Sequence, residues 1–265
     1  MRSIKNRNNN SSYNTLKASR KVRSEDLKKF IPEFLGIPAV KIYNAPGNAE
    51  VVMNLEPGQT IFTNGPTMVW MDSAIKVNTT TNGIFAGLRR AFSGDSMFLT
   101  YFTGTSPKGN KICLASNLPG DITKLIVKPG TRKLIASHGV VCCTSNVRLD
   151  VVFRARGLFV GGAFLSEVSV PATSTEPGVV WLGSFGSINT IEVKEGEMYQ
   201  VDNHHFLAAN GDVNYTIGTL GGLKSTLFSG EGLVMNFRGP CKLMIQNRKL
   251  SSFVEHLKQH GLERK

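Results

Sequence analysis

The sequence predicts an all-β protein, and three observations carry that expectation. Glycine is frequent, 27 in 265 residues, and Val, Ile, Thr and Phe gather in short runs bounded by turn residues, the composition of strands more than helices. The chain repeats itself three times between two short segments of helical pattern. Apolar residues make up 41% and charged residues 19%, enough for a buried core, which sets aside disorder, collagen and a small disulfide-stapled scaffold.

The elements follow in order. Residues 1–23 carry seven basic residues, no acidic ones and an Asn/Ser tract. They bury too little apolar surface to offset the entropy of ordering, and read as a flexible basic arm. A short helix and linker are expected over 24–43. Ser24 is placed as N-cap, Glu25 and Asp26 favour the first turn, Leu27, Phe30 and Ile31 share a face, and Pro32 marks the end.

The repeat occupies 44–250, in copies at about 44–118, 119–184 and 185–250. Its first half reads GNAEVVMNLEPGQTIFTNGPTMVWMDS from Gly47, GDITKLIVKPGTRKLIASHGVVCCTS from Gly120 and GSINTIEVKEGEMYQVDNHHFLAANG from Gly186. The turn glycines Gly58, Gly130 and Gly196 are 72 and 66 residues apart. In each copy an alternating strand (51–55, 125–128, 191–194) enters the turn and a second returns, the pattern of a hairpin with one buried face. The second half recurs as GLRRAFSGDSMFLTYF from Gly87, GLKSTLFSGEGLVMNF from Gly222 and, more divergently, GLFVGGAFLSEVSV from Gly157. A solenoid repeat is usually about 20–50 residues. The longer unit here is therefore expected to form a small β-sandwich-like module, three of which pack together to complete their burial.

A C-terminal helix and basic tail are expected over 251–265. Ser252 and Glu255 have capping-box spacing, Phe253, Val254 and Leu257 form the apolar stripe, and Gly261 suits the stop.

The formal net charge of +12 sits mostly at the ends. Residues 1–50 hold 10 basic and 4 acidic groups (+6), 51–240 hold 15 and 13 (+2), and 241–265 hold 6 and 2 (+4). The candidate contacts for phosphate, nucleic acid or an anionic membrane surface are therefore Arg2, Lys5, Arg7, Lys17, Arg20, Lys21, Arg23, Arg248 and Lys249. Three readings of the arm compete: a solvated tail, a mitochondrial transit peptide, and a polycation that touches nucleic acid or anionic lipid. The Asn8 to Ser12 tract, a poor helix former, weighs against the transit peptide. No segment has the length of a membrane-spanning helix or the apolar core of a secretory signal, so an intracellular protein is expected.

Catalytic signals are weak. Cys113, Cys142, Cys143 and Cys241 form no CxxC pair. Cys142 and Cys143 are adjacent on a strand and so point to opposite faces, which favours reduced thiols. His204 and His205 diverge in the same way, and His256 and His260 fall in the terminal helix. His138 and His204 each lie eight residues after their turn glycine, where the first copy has Pro66. That equivalence suits a shared site or a loop position tolerant of polar residues. Gly161-Gly162 and Gly221-Gly222 lack the Lys-Ser/Thr ending of a phosphate loop and suit tight turns. Asp95 and Glu231 hold equivalent turn positions, and Arg154 and Arg156 share a strand face where acidic neighbours or phosphate could pair with them. No catalytic, cofactor-binding or metal residue is assigned, and no enzyme activity or cofactor is expected.

Several runs together resemble the AIM24 family. They are Gly87-Leu88-Arg89-Arg90 leading into Ser93-Gly94-Asp95-Ser96-Met97-Phe98, the ASNLPG segment at 115–120, and Gly221-Gly222-Leu223-Lys224. Further on come Ser229-Gly230-Glu231-Gly232-Leu233-Val234, Phe237-Arg238-Gly239-Pro240 and Gln246-Asn247-Arg248. The resemblance implies three tandem modules of short double-stranded β-helix type, similar to the tryptophan RNA-binding attenuation protein. It implies no established enzymatic activity. Its motifs are glycine and turn patterns, which speak to fold more than to chemistry. A non-enzymatic scaffold acting through self-association or protein partners is the leading expectation. The alternative is a nucleic-acid-binding or particle-associated protein that uses its basic ends.

Overall fold

The computed structural model describes residues 33–81, 98–151, 165–219 and 233–261. Their regular structure is strand apart from one 3-10 turn (Ser137–Gly139) and a terminal helix α1 (Leu250–Gln259). The all-β expectation holds. The approach and first repeat supply β1 (Ala39–Tyr43), β2 (Glu50–Asn54), β3 (Thr60–Thr63), β4 (Met68–Met71), β5 (Ile75–Thr81), β6 (Phe98–Gly104) and β7 (Lys111–Ala115). The second supplies β8 (Ile122–Val127), β9 (Arg132–Ala136), β10 (Val140–Thr144), β11 (Arg148–Val151), β12 (Leu165–Ser169) and β13 (Gly178–Gly183). The third supplies β14 (Ile188–Val193), β15 (Met198–Asp202), β16 (Phe206–Asn210), β17 (Asn214–Thr219), β18 (Leu233–Arg238) and β19 (Cys241–Gln246).

These strands form four antiparallel sheets, with orders β1-β2-β7-β4, β5-β6-β3-β10-β13-β8, β11-β12-β9-β16-β19-β14 and β15-β18-β17. Three apolar clusters lie between successive sheets. Val51, Met53, Ile112 and Leu114 of the first sheet meet Ile61, Phe102 and Trp181 of the second. Phe62, Val180 and Leu182 meet Ile135, Val168 and Leu207 of the third. Phe206, Ala209 and Leu243 meet Val201, Met235 and Phe237 of the fourth, with the Phe206 and Phe237 rings stacked 5.4 Å apart. Strand alternation places these side chains, and each large one fully removed from water contributes about 1.5–3 kcal/mol.

The turn at each repeat glycine does not close a hairpin. β2 pairs with β1 and β7, whereas β3 pairs with β6 and β10. The chain crosses from one sheet to the next at Gly58, Gly130 and Gly196, which have φ of 83°, 72° and 81°. The corner amides bond outward: Gly58 N–H donates to Gly104 O at 2.8 Å, and Gly130 N–H to Val170 O at 2.9 Å. The first two corners are thereby tied to a later strand end of their own repeat, and their flanking strands separate into neighbouring sheets.

The sheets also cross the repeat boundaries, so the repeats share sheets and do not pack as three separate sandwich-like modules. β3 of the first repeat pairs with β10 of the second, and β9 of the second with β16 of the third. Three further expectations change. The linker over 24–43 contains strand β1, antiparallel to β2. Helix α1 begins two residues before Ser252, with Lys249 at the N-cap and no side-chain cap bond. Gly261, at φ 81°, does mark its end. The Ser24 helix and the repeat segments beginning at Gly87, Gly157 and Gly222 lie wholly or mostly outside the described residues.

Candidate functional site

One polar cluster forms where β15 ends and α1 begins. The Asp202 carboxylate receives three donors. Lys249 Nζ lies 2.9 Å from Oδ2, while the His204 backbone N–H at 2.8 Å and ring Nδ1 at 3.0 Å reach Oδ1. The Asp202 and Lys249 side chains are only 11% and 10% exposed. Burial alone would raise the carboxyl pKa, but the Lys249 hydrogen bond and the His204 contacts outweigh it and hold it at about 2.

Gln246, buried at the end of β19, continues the network. Its Nε2 donates to His204 O at 2.7 Å, and its Oε1 accepts the Phe185 N–H at 3.0 Å. Its own carbonyl accepts His205 Nδ1–H at 2.7 Å. The two adjacent histidines serve separate partners, but they lie in the β15–β16 turn and not on the strand expected from sequence. The named contacts all join loop, strand and helix start, which is the arrangement of a structural clamp. The sequence reading missed Asp202 and noted Gln246 only within a family-like run. The signal available for Asp202 was its place two residues before His204, where a short carboxylate caps a turn.

The other concentration of unusual groups is apolar and lies on the two outermost sheets. On the first sheet Met68, Val69 and Trp70 of β4 are exposed, Val69 by 54%. Beside them an open groove is lined by Val40, Lys41, Tyr43, Val52, Trp70 and Lys111. On the fourth sheet Met198 is 61% exposed and Tyr199 is exposed beside it. Among the described residues no strand pairs with the outer edge of β4 or of β15.

Of the basic residues singled out from sequence, Arg248 is exposed, whereas Lys249 is committed to its internal ion pair with Asp202. Arg2, Lys5, Arg7, Lys17, Arg20, Lys21 and Arg23 lie outside the described residues, as do Asp95, Arg154, Arg156, Glu231 and the Gly161-Gly162 and Gly221-Gly222 runs. His138 sits in the 3-10 turn and His204 in the β15–β16 loop. Among the described residues no group of three or more His, Cys, Asp or Glu side chains is placed to hold a metal ion. All four cysteines are buried free thiols. Cys142 and Cys143 face different apolar clusters, as expected. No helix of the described residues is long and apolar enough to cross a membrane.

Stacked antiparallel sheets joined across internal repeats, an ion-pair clamp and apolar outer edges define an all-β protein of repeated architecture. The chain belongs to the AIM24 family: residues 40–248 match the family model described as "Mitochondrial biogenesis AIM24". An uncharacterized protein of Streptococcus pyogenes serotype M6 is 29% identical over 221 residues, spanning 79% of this chain and 86% of the relative. A crystal structure of a Streptococcus pyogenes protein superposes with a TM-score of 0.70 at 26% identity, covering 84% of this chain and 100% of that one.

Proposed function

We propose that the protein is a non-enzymatic β scaffold that acts by assembly or by binding partner proteins. One observation carries the reading: among the described residues, both outermost sheets present unpaired strand edges bearing large apolar side chains, Met68, Val69 and Trp70 on one and Met198 and Tyr199 on the other. Such edges are templates for further strands, and natural proteins usually blunt them with charge, proline or a covering loop. The polar cluster supports the same reading, because its carboxylate and ammonium neutralise one another inside the protein. A photo-reactive phenylalanine analogue placed at Trp70 or Met198 tests it in cells. Covalent adducts are expected at these positions and not at Lys108, on the exposed β6–β7 loop. Absence of adducts at both apolar positions overturns the proposal.

The charge distribution supports a second reading, in which the basic ends contact nucleic acid or anionic lipid. Residues 1–23 hold seven cations and no acids, so deleting them should weaken nucleic-acid binding and flatten its salt dependence. Binding unchanged by that deletion rules the arm out.

A further inference from the structure

We infer that β4 and β15 are the two halves of one joint, and that a second copy of this chain docks head to tail by pairing its β4 with the first copy's β15. The inference rests on the scaffold reading above and names its partner. It follows from the way the chain joins its own repeats.

The described residues contain two such joints. β3 of the first repeat pairs with β10 of the second, and β9 of the second pairs with β16 of the third. Counted from the turn glycines, β3, β9 and β15 occupy one position, and β4, β10 and β16 another. Each first-type strand except β15 therefore has a second-type partner from the following repeat. Each second-type strand except β4 has one from the preceding repeat. The left-over pair is what a continuing array would join.

Burial agrees. β10 is buried along its whole length and β16 at all but its last residue, whereas Met68, Val69 and Trp70 of β4 are exposed. β3 is fully buried and β9 buries its last three residues, whereas β15 exposes its first three. The same strand position thus changes from core to surface only where the described residues place no neighbouring repeat against it.

The internal joints share one register. Cys143 faces Phe62 and Thr144 faces Ile61 in the first. Ala209 faces Leu134 and Asn210 faces Lys133 in the second. In both, a residue 13 positions after its turn glycine meets one four positions after the preceding glycine, and position 14 meets position three. Carried to the open ends, this register sets Met71 opposite Gln200 and Asp72 opposite Tyr199. Ala208 opposite Ile135 continues the series and sets Trp70 opposite Val201. Ala208 and Ile135 lie in one apolar cluster, so Trp70 would extend the third cluster at Val201. Gln200 departs from the internal pattern, replacing Phe62 and Leu134 with a polar side chain bonded to Asn236 Oδ1 at 2.8 Å. It marks the joint between copies as more polar than the joints within one. Because the two faces differ, the contact is heterologous and makes rings if the rotation closes or filaments if it does not.

The full chain tests this by light scattering across a concentration series. The wild type is expected to rise from 28.9 kDa to multiples of that mass. Trp70→Lys, on β4, and Tyr199→Asp, which faces Asp72 with like charge, should each remain single chains with unchanged circular dichroism. Mixed together, they should form a species of two chains, since each retains the half that the other lost. The register is read by oxidising Asp72→Cys chains mixed with Tyr199→Cys chains, where a covalent dimer is expected. Wild-type chains that stay single at every concentration, variants that associate alone, or a mixture that does not pair would overturn the inference. Adducts at Trp70 or Met198 to a different protein, with no self-association, would leave the scaffold reading standing and remove this one.

Discussion

Gly120 and Gly186 meet in a parallel backbone bridge that ties the start of the second repeat to the start of the third. The Gly186 carbonyl accepts the Asp121 N–H at 3.0 Å, and one repeat earlier the Gly120 carbonyl accepts the Ala49 N–H at 2.9 Å. Successive repeats are therefore stitched at the same backbone position as well as through their sheets.

Gly120→Ala should disrupt that stitch. A Cβ at Gly120 would run into the Ser184 carbonyl oxygen and lie 2.8 Å from Gly186 N. Both are backbone atoms, which cannot move aside as a flexible side chain can. A loss of about 2–4 kcal/mol is expected from the denaturant midpoint. Gly65→Ala, where an added Cβ meets nothing within 4 Å, is the matched control with little change.

The Asp202 clamp gives the protein an acid limb. The folded carboxyl pKa of about 2 lies below the unfolded value of about 3.9. Its contribution is thus complete above about pH 4 and is lost as pH falls toward 2. Asp202→Asn should cost about 2–4 kcal/mol at neutral pH, because Lys249 keeps a buried charge without its counter-ion. Stability curves of wild type and variant should converge as the pH approaches 2. A constant gap across that range would contradict the assignment.

The thiols should be silent until the protein unfolds. Burial, followed by the Glu50 hydrogen bond and charge, pushes Cys113 up to about 12, and burial also raises Cys142, Cys143 and Cys241. Since the thiolate is the reactive form, a thiol reagent at pH 8 should titrate almost none of the four in native protein and all four in denaturant.

Much of this architecture is legible in the sequence. The alternation around Gly58, Gly130 and Gly196 marks real strands, and the glycines mark real turns. Pairing is not legible there, because a two-residue period looks the same whether the strands close a hairpin or part into neighbouring sheets. The run AVKIY of β1 is exposed at four of its five positions and carries no inward pattern to reveal it. Lys249 could be recognised as a cation, but its partner Asp202 lies 47 residues away, and only the fold brings them together. The exposure of Trp70 is likewise invisible in a run, MVWM, that reads as core.

The most direct test of the head-to-tail joint is hydrogen exchange of the backbone amides of β4 and β15 at low and high protein concentration. Paired edges predict that protection rises on both strands together as concentration increases, while β10 and β16, already paired within the chain, stay unchanged. Exchange on β4 and β15 that is independent of concentration, or protection that grows on one strand alone, would contradict it.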